Sequence, residues 1–238
     1  MAFRLVLATF ALFAAASVSA AEQRFSIGSY DELIVEGDII VNLETGKTPS
    51  AKAEGPREKL GALRVERQGN VLRIRSVALQ SGQSGQSGQS EKGPVTIAVI
   101  GRNIKRLALI GSGKINATAM DADTTRIELR GSGSIDVASL KAFRFVSMIA
   151  GNGRLNITKA QVVNTELAID GSANFISAGF VTKNLKLVHN GPASTLMTVS
   201  NKAEINNTGA GSITIEGNGT CDVRRAGSAT ISCKKDRK

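Results

Sequence analysis

Apolar residues recur at a fixed interval of 20 positions between residues 107 and 200. Three columns of this repeat are mostly apolar: Leu107, Ile127, Ser147, Leu167 and Leu187; Leu109, Leu129, Ile149, Ile169 and His189; and Ile115, Ile135, Leu155, Phe175 and Thr195. The first two columns are two places apart, which is the spacing of side chains on one face of a β-strand. A fixed period of this length is typical of a solenoid, in which each repeat buries its apolar face against its neighbours.

Glycines mark one point in every repeat, and they are Gly111, Gly113, Gly131, Gly133, Gly151, Gly153, Gly171 and Gly191. Glycine permits a sharp corner that a Cβ atom would obstruct. We therefore predict an all-β fold, a β-solenoid or right-handed parallel β-helix-like stack of 20-residue coils over residues 107–200. Each coil has a strand before the corner and another after it. A third short run closes the coil and carries Met120, Leu140, Ala160, Phe180 or Ser200.

Residues 21–106 form an N-terminal β-strand region in which apolar and polar residues alternate over strand lengths. A low-complexity Gln-Ser-Gly tract at residues 80–90 interrupts the region and predicts a flexible loop. The segments Val71–Ser76 and Val95–Ile100 flank this loop, and we expect them to pair as neighbouring strands of a hairpin.

Residues 201–238 keep the composition of the repeat but lose its register, since Gly209 follows Gly191 by 18 positions. We expect irregular coils and a cap there, because terminal repeats are often atypical. The chain has two cysteines, Cys221 and Cys233. In an exported chain they predict a disulfide. Two reduced buried thiols or a metal pair are the alternatives, although a chain with one histidine and no Cys-x-x-Cys motif gives metal binding little support.

Residues 1–20 have the pattern of a secretory signal peptide, with Arg4 before an apolar run and small residues before Ala21. The apolar run is shorter than the roughly 20 residues that span a bilayer, so an uncleaved anchor is the weaker alternative. No second apolar run follows, which predicts a mature chain with no membrane span. We expect an exported protein, periplasmic or extracellular.

Composition agrees with a thin interior, since only 4% of the residues are aromatic and none is tryptophan. The formal net charge is +10, which favours acidic partners such as an anionic polysaccharide or an envelope surface. The basic residues are dispersed and are not interleaved with aromatic residues. This distribution argues against a nucleic-acid partner.

Candidate catalytic residues do not converge in the sequence. His189 occupies an apolar column, and the acids nearest to it by column position are Asp170 and Glu204. The acids Asp121, Asp123, Asp136 and Asp170 occupy different column positions, whereas sugar hydrolysis requires paired carboxylates. We therefore predict no catalytic residue, no cofactor and no metal site.

The chain resembles the head GIN domain family of putative autotransporter adhesins, a bacterial family with no assigned activity. The resemblance rests on residues 25–27, 33–41, 69–74, 95–97 and 107–113, the last of which ends in Gly-Ser-Gly. It implies a β-helix-like stack of short strands and an exported location, and it brings no catalytic residues.

We therefore expect a non-catalytic, exported binding or adhesion module of the cell envelope, with an anionic glycan or envelope component as partner. A polysaccharide-acting β-helical lyase or hydrolase is one alternative, and a structural envelope scaffold that stacks end to end is another. The oligomeric state is left open by the sequence.

Overall fold

The structure is a computed structural model that describes residues 21–77 and 93–234. The predicted signal peptide and the predicted Gln-Ser-Gly loop lie outside these residues. From the N-terminus, the elements are β1 (Ala21–Phe25), β2 (Glu32–Glu36), β3 (Ile39–Thr45), β4 (Ser50–Gly55), α1 (Arg57–Ala62), β5 (Leu63–Gln68), β6 (Val71–Ser76), β7 (Val95–Gly101), β8 (Arg106–Gly111), β9 (Lys114–Asp121), β10 (Thr124–Gly131), β11 (Ser134–Gly151), β12 (Arg154–Gly171), β13 (Asn174–Asn190), β14 (Ala193–Asn207), β15 (Gly211–Glu216), β16 (Thr220–Arg225) and β17 (Thr230–Cys233).

Three faces make up each regular coil. Face 1 precedes the glycine corner, as in β8 and β10, and face 2 follows it, as in β9. Strands β11, β12 and β13 run through all three faces, and face 3 is the short middle segment, residues 139–142 in β11. Two consecutive exposed residues, at 138–139 and again at 143–144, interrupt the in–out alternation of β11. These interruptions mark its two remaining corners, because alternation along a straight strand is strict.

The predicted β-solenoid is confirmed by the parallel register of these strands. On face 2, Ile115 pairs with Ile135 and Ile135 with Leu155, and all three side chains are fully buried. The two face 1 columns stack in the same way, from Leu107 and Leu109 to Leu187 and His189. Full burial of such an aliphatic side chain contributes about 1.5–3 kcal/mol, so the stacked ladders are the main source of stability.

The segments on either side of residues 78–92 do not form a hairpin, and that prediction is wrong. Strand β6 pairs in parallel with β2, and β7 pairs in parallel with β3. They are therefore the first and second faces of one coil, stacked on the coil of β2 and β3. The hairpin expectation failed because both strands find their partners in another coil.

Antiparallel strands close the N-terminal end of the parallel stack. On face 2, β4 pairs antiparallel with β7 and β1 pairs antiparallel with β4. On face 1, β5 pairs antiparallel with β6, and the short helix α1 connects β4 to β5. A strand that runs the other way ends the repeated geometry, so within residues 21–77 and 93–234 no further parallel coil follows at this end.

The 20-residue period ends before residue 200, so Ser200 does not continue the column of Met120, Leu140, Ala160 and Phe180 as the repeat predicts. Ile176 still pairs with Leu196, but Val181 pairs with Thr198, so the coil is three residues shorter at the corner between them. Met197 and Val199 are buried and Ser200 is exposed. From Asn184 onward the step is 18 residues, which explains the spacing of the later glycines.

Cys221 and Cys233 form a disulfide, which confirms the predicted pairing. The bond joins β16 on face 1 to β17 on face 2, in the last coil that the structure describes. Face 3 is short in this coil: Glu216 at the end of β15 pairs with Thr198, which in turn pairs with Val181 of face 3, and residues 217–219 then lead into β16. The disulfide therefore ties together the last two strands of the stack.

Candidate functional site

The glycines predicted as corners lie against the backbone of the preceding coil. Gly151 has φ +112°, and a Cβ atom there would lie 2.5 Å from the carbonyl oxygen of Gly131. Gly133 has no positive φ, but a Cβ atom on it would lie 2.5 Å from the carbonyl oxygen of Gly113. Positive φ also occurs at Gly111, Gly131, Gly171 and Gly191, and close approach without positive φ also occurs at Gly113 and Gly153. These residues shape the corners and leave no room for a ligand inside them.

His189 belongs to the interior. Its side chain is fully buried, with Nδ1 2.9 Å from Asn207 Oδ1 and Nε2 3.3 Å from the backbone oxygen of Ala193. Asp170 pairs with Asn190, next to His189 in sequence, and is exposed on the outside of face 1. Glu204 is also directed outward and binds Lys202. The structure therefore does not bring His189 together with either acid.

The remaining acids are also separated. Asp136 lies on the outside of face 2 and pairs with Lys114 at 3.2 Å, whereas Asp121 and Asp123 lie at the other end of face 3. Among the residues that the structure describes, no group of three His, Cys, Asp or Glu side chains is placed to hold a metal ion.

An open groove follows the corner between face 3 and face 1. It has a volume of about 490 Å³, crosses four successive coils and reaches Ser200 of the next. We call it the corner groove, formed by residues Asp121, Ala122, Asp123, Lys141, Ala142, Phe143, Gln161, Val162, Val163, Val181, Thr182, Lys183 and Ser200. Phe143 is its most prominent side chain and is 61% exposed, the most exposed large hydrophobic residue in the described part of the chain. Such an apolar surface is a common mark of an interaction site.

Sequence reasoning missed this groove, although a signal was present. Phe143 and Val163 directly follow the inward residues Ala142 and Val162, so two apolar residues stand in succession where alternation predicts one polar residue. Because the corner between faces lies at that point, the second residue of each pair is directed outward. Only the position of the corner distinguishes an outward residue from one in the core.

A second concavity of about 390 Å³ lies on face 1 near the C-terminal end of the stack. We call it the basic depression, and its charged residues are Lys186, Lys202, Glu204, Asp222 and Arg224. Lys202 Nζ donates a hydrogen bond to Glu204 Oε1 at 2.6 Å. That hydrogen bond, together with the nearby charges of Lys186 and Arg224, lowers the pKa of Glu204. Glu204 therefore stays ionised, and the depression carries three positive charges against two negative ones.

Several positive charges elsewhere on face 1 are neutralised by acids of adjacent coils. Arg106 lies 3.2 Å from Glu32 on one side and 3.2 Å from Glu128 on the other. Arg144 lies 2.8 Å from Glu166. Exposed pairs of this kind contribute little to stability, but they do reduce the positive charge available to a ligand.

A third, shallower cavity of about 280 Å³ lies near the N-terminal end and contains Asp31 and Lys105. Lys105 Nζ donates to Asp31 Oδ2 at 2.8 Å, and this hydrogen bond holds the pKa of the Asp31 carboxyl below its ordinary value. Asn70 also donates to Asp31, at 2.6 Å. Lys105 and Asp31 neutralise each other, which leaves Arg102 as the remaining charge of this cavity. It therefore offers a ligand fewer cations than the basic depression and is a weaker candidate for a binding site.

The family model described as "Putative auto-transporter adhesin, head GIN domain" matches residues 29–219. The chain belongs to this family. The match includes the corner groove and most of the basic depression, and it ends within the last coil. No curated protein shows significant sequence similarity to this GIN-domain protein.

Solved structures show the same fold. A putative adhesin from Bacteroides fragilis is 14% identical with a TM-score of 0.75, covering 92% of this chain and 95% of its own. A putative lipid binding protein from Parabacteroides distasonis is 18% identical with a TM-score of 0.71, covering 92% and 98%. A putative adhesin from Parabacteroides merdae is 14% identical with a TM-score of 0.65, covering 93% and 98%. At these identities, the likeness concerns the fold.

The described residues contain no helix that is long and apolar enough to span a membrane.

Proposed function

We propose that this GIN-domain protein is an exported, non-catalytic binding module of the cell envelope, and that its basic depression contacts an anionic envelope component such as an acidic polysaccharide. The observation that carries the proposal is the match over residues 29–219 to the family described as "Putative auto-transporter adhesin, head GIN domain". Export is part of the proposal and rests on the signal pattern in residues 1–20.

The shape of the molecule supports this function. A solenoid presents long outer faces whose residues repeat at each coil, and such faces suit extended ligands. Proteins with the same fold are described as putative adhesins, and one is described as a putative lipid binding protein. Surface components of the envelope are a class of partner that suits both descriptions.

The distribution of unpaired positive charge favours the basic depression as the place where an anionic ligand binds. The chain has a net charge of +10, but several cations of face 1, among them Arg106 and Arg144, are paired with acids of adjacent coils. In the basic depression, Lys186 and Arg224 form no salt bridge within residues 21–77 and 93–234. An anionic ligand there gains two unpaired cations, while Glu204 remains held by Lys202.

The test uses the purified protein and two acidic probes, heparin and polygalacturonate, with neutral dextran as the uncharged control. We expect binding to both acidic probes at about 50 mM NaCl and much weaker binding at about 500 mM, because salt screens contacts between exposed charges. The double variant Lys186→Gln/Arg224→Gln is expected to bind roughly tenfold more weakly, at about 0.5–1 kcal/mol for each lost contact.

The matched control is Arg130→Gln/Arg154→Gln, which removes the same charge from exposed positions outside the depression. It is expected to stay within about twofold of the wild type. Equal losses in both double variants would mean that net charge alone drives binding, and the depression would then be the wrong site. Silence of the wild type on both acidic probes at low salt would contradict the proposal itself.

A further inference from the structure

The corner groove has opposite chemistry at its two ends. The coil nearest the N-terminal end contributes Asp121 and Asp123, and the coil three steps further contributes Lys183. Between them lie Phe143 and Val163, which make the centre apolar. Within the described residues, neither Asp123 nor Lys183 takes part in a salt bridge. With a coil spacing of about 4.8 Å, they are about 14 Å apart along one chain, too far to neutralise each other.

The register of the coils fixes the order of these side chains. On face 3, Asp121 pairs with Lys141, Lys141 with Gln161 and Gln161 with Val181. Two positions further along each coil, a parallel column contains Asp123, Phe143, Val163 and Lys183, each 20 residues after the last. The backbone amide of Arg144 donates to Asp123 O at 2.8 Å, which holds this corner in the same stack.

We propose that the corner groove is the interface of a symmetric homodimer. In it, two copies lie antiparallel about a two-fold axis that passes between the second and third coils of the groove. Such an axis exchanges the first coil with the fourth and the second with the third, and it keeps each column opposite itself. It brings Asp123 against Lys183 of the partner subunit, and the reverse, as an isologous interface requires.

The same operation matches the centre of the groove. Phe143 meets Val163 of the partner subunit, which buries its exposed ring against an aliphatic side chain. Lys141 meets Gln161 of the partner subunit, where the ammonium group donates a hydrogen bond to the amide oxygen. The same operation places Asp121 against Val181 of the partner subunit, and this pair gains no charge contact. The other three pairs are complementary in charge, apolar character or hydrogen bonding.

Other placements of a second copy are less favourable. A two-fold axis that runs along the column of Asp123, Phe143, Val163 and Lys183 leaves the coils in the same order, so Asp123 faces Asp123 of the partner subunit and Lys183 faces Lys183 of the partner subunit. Like charges opposed across an interface are repulsive. The antiparallel arrangement follows from the observed order of residues, because it alone among these two-fold placements pairs opposite charges at both ends.

The groove is narrow, so the dimer is expected to be a weak one. Stable interfaces usually bury about 800 Å² on each partner. A patch of four corners supports dissociation constants from roughly micromolar to about 100 μM, which correspond to about 5–8 kcal/mol. This association uses residues other than those of the basic depression and is independent of the proposed ligand.

Sedimentation equilibrium of the chain from residue 21 onward tests the proposal. The protein concentrations extend from below about 1 μM to about 500 μM, so that they bracket the expected dissociation constants. We expect a reversible monomer–dimer equilibrium for the wild type. Asp123→Lys and Lys183→Asp each place like charges opposite each other and are expected to weaken the dimer at least tenfold. The double variant Asp123→Lys/Lys183→Asp restores both pairs and is expected to return to within about threefold of the wild type.

Two further variants separate this site from general effects. Phe143→Ser is expected to weaken the dimer at least tenfold, because it removes the ring that packs against Val163 of the partner subunit. Folding should be unchanged, since the ring is exposed in the monomer. Arg154→Asp reverses a charge on face 2, outside the groove, and is expected to have less than a twofold effect. Far-UV circular dichroism of each variant verifies that it is folded.

A wild type that remains monomeric at about 500 μM would overturn the proposal, since the weakest dimer considered would be populated at that concentration. A double reversal that dimerises no better than the single reversals would overturn the antiparallel pairing. Loss of the dimer in Arg154→Asp would assign association to another surface.

Discussion

Hydroxyl groups inside the ladders differ in whether they find a partner. Ser147 lies in the face 1 column between Ile127 and Leu167, and its buried hydroxyl has no hydrogen-bond partner among the described residues. Ser177 is equally buried, but its hydroxyl donates to the backbone oxygen of Ile157. An unsatisfied buried hydroxyl costs about 1–3 kcal/mol, whereas a satisfied one contributes about 1 kcal/mol.

The two serines therefore predict opposite effects of one substitution. Ser147→Ala is expected to raise the free energy of unfolding by about 1 kcal/mol, because it removes the unpaired hydroxyl and leaves nearly the same volume. Ser177→Ala is expected to lower it by about 1 kcal/mol, since the Ile157 carbonyl loses its donor. Urea denaturation followed by circular dichroism measures both. Equal signs for the two variants would contradict this account.

Glycine at a corner can be required for two reasons: it adopts positive φ, and it lets two backbones approach closely. Gly46 and Gly151 allow the two effects to be measured separately. Gly151 and Gly46 both have positive φ, at +112° and +94°. A Cβ atom on Gly151 would meet the Gly131 carbonyl oxygen at 2.5 Å, but one on Gly46 would meet nothing within 4 Å.

Gly46→Ala is therefore expected to cost only the conformational strain, about 1–2 kcal/mol. Gly151→Ala is expected to cost at least about 2 kcal/mol more, because the stacked coils would have to move apart. Chemical denaturation compares the two variants. If Gly151→Ala cost no more than Gly46→Ala, the tight stacking of the corners would be refuted.

At the scale of the element, the two ends of the stack are closed by different means. At the N-terminal end, the antiparallel strands β1, β4 and β5 cover the parallel coils. At the C-terminal end, β16 and β17 are short, and their side chains are largely exposed. The disulfide between Cys221 and Cys233 joins these two strands and limits fraying of the last coil.

Cys221→Ser/Cys233→Ser is expected to lower the free energy of unfolding by about 2–3 kcal/mol, because a crosslink over a short loop removes entropy from the unfolded chain. The wild type in reductant should match the double variant in the absence of reductant. Urea denaturation of the four combinations of protein and reductant measures this. A double variant as stable as the oxidised wild type would show that the disulfide does not stabilise the cap.

At the scale of the whole molecule, equivalent residues of successive coils pair with each other, so one coil can take the place of the next in the stack. Thr124 to Gly131 pair with Arg144 to Gly151 one coil later, and Arg144 in turn pairs with Asn164. The stability of such a stack is approximately a sum over coils and the contacts between neighbours. Removal of one complete coil should therefore leave the remaining strands in register.

Deletion of residues 144–163, one full period, is expected to give a folded protein with a cooperative thermal transition at a lower temperature. Part of the loss is the packing of Phe145 on Phe180, whose ring centroids are 5.5 Å apart. Deletion of residues 144–153, half a period, places faces against the wrong partners and is expected to abolish the transition. Thermal circular dichroism distinguishes them. Equal behaviour of the two deletions would contradict a stack ordered by its period.

The sequence by itself determined the regular part of the molecule. Columns such as Ile115, Ile135 and Leu155 predict parallel stacking, because an apolar side chain that must be buried recurs at the same position of each coil. The disulfide could likewise be predicted, since two cysteines in an exported chain have few alternatives. Periodicity and cysteine count are properties of the chain that need no knowledge of distant contacts.

Only the tertiary structure decided the features that do not follow the 20-residue repeat. The partners of β6 and β7, the shortened coil between Ile176 and Val181, and the outward position of Phe143 all depend on where the chain turns. The backbone dihedral angles at a corner decide whether an apolar residue beside it is directed into the core or toward solvent. The local sequence does not determine these angles. The pairing of strands across many residues fixes them, because each backbone group must find a hydrogen-bond partner in the adjacent coil.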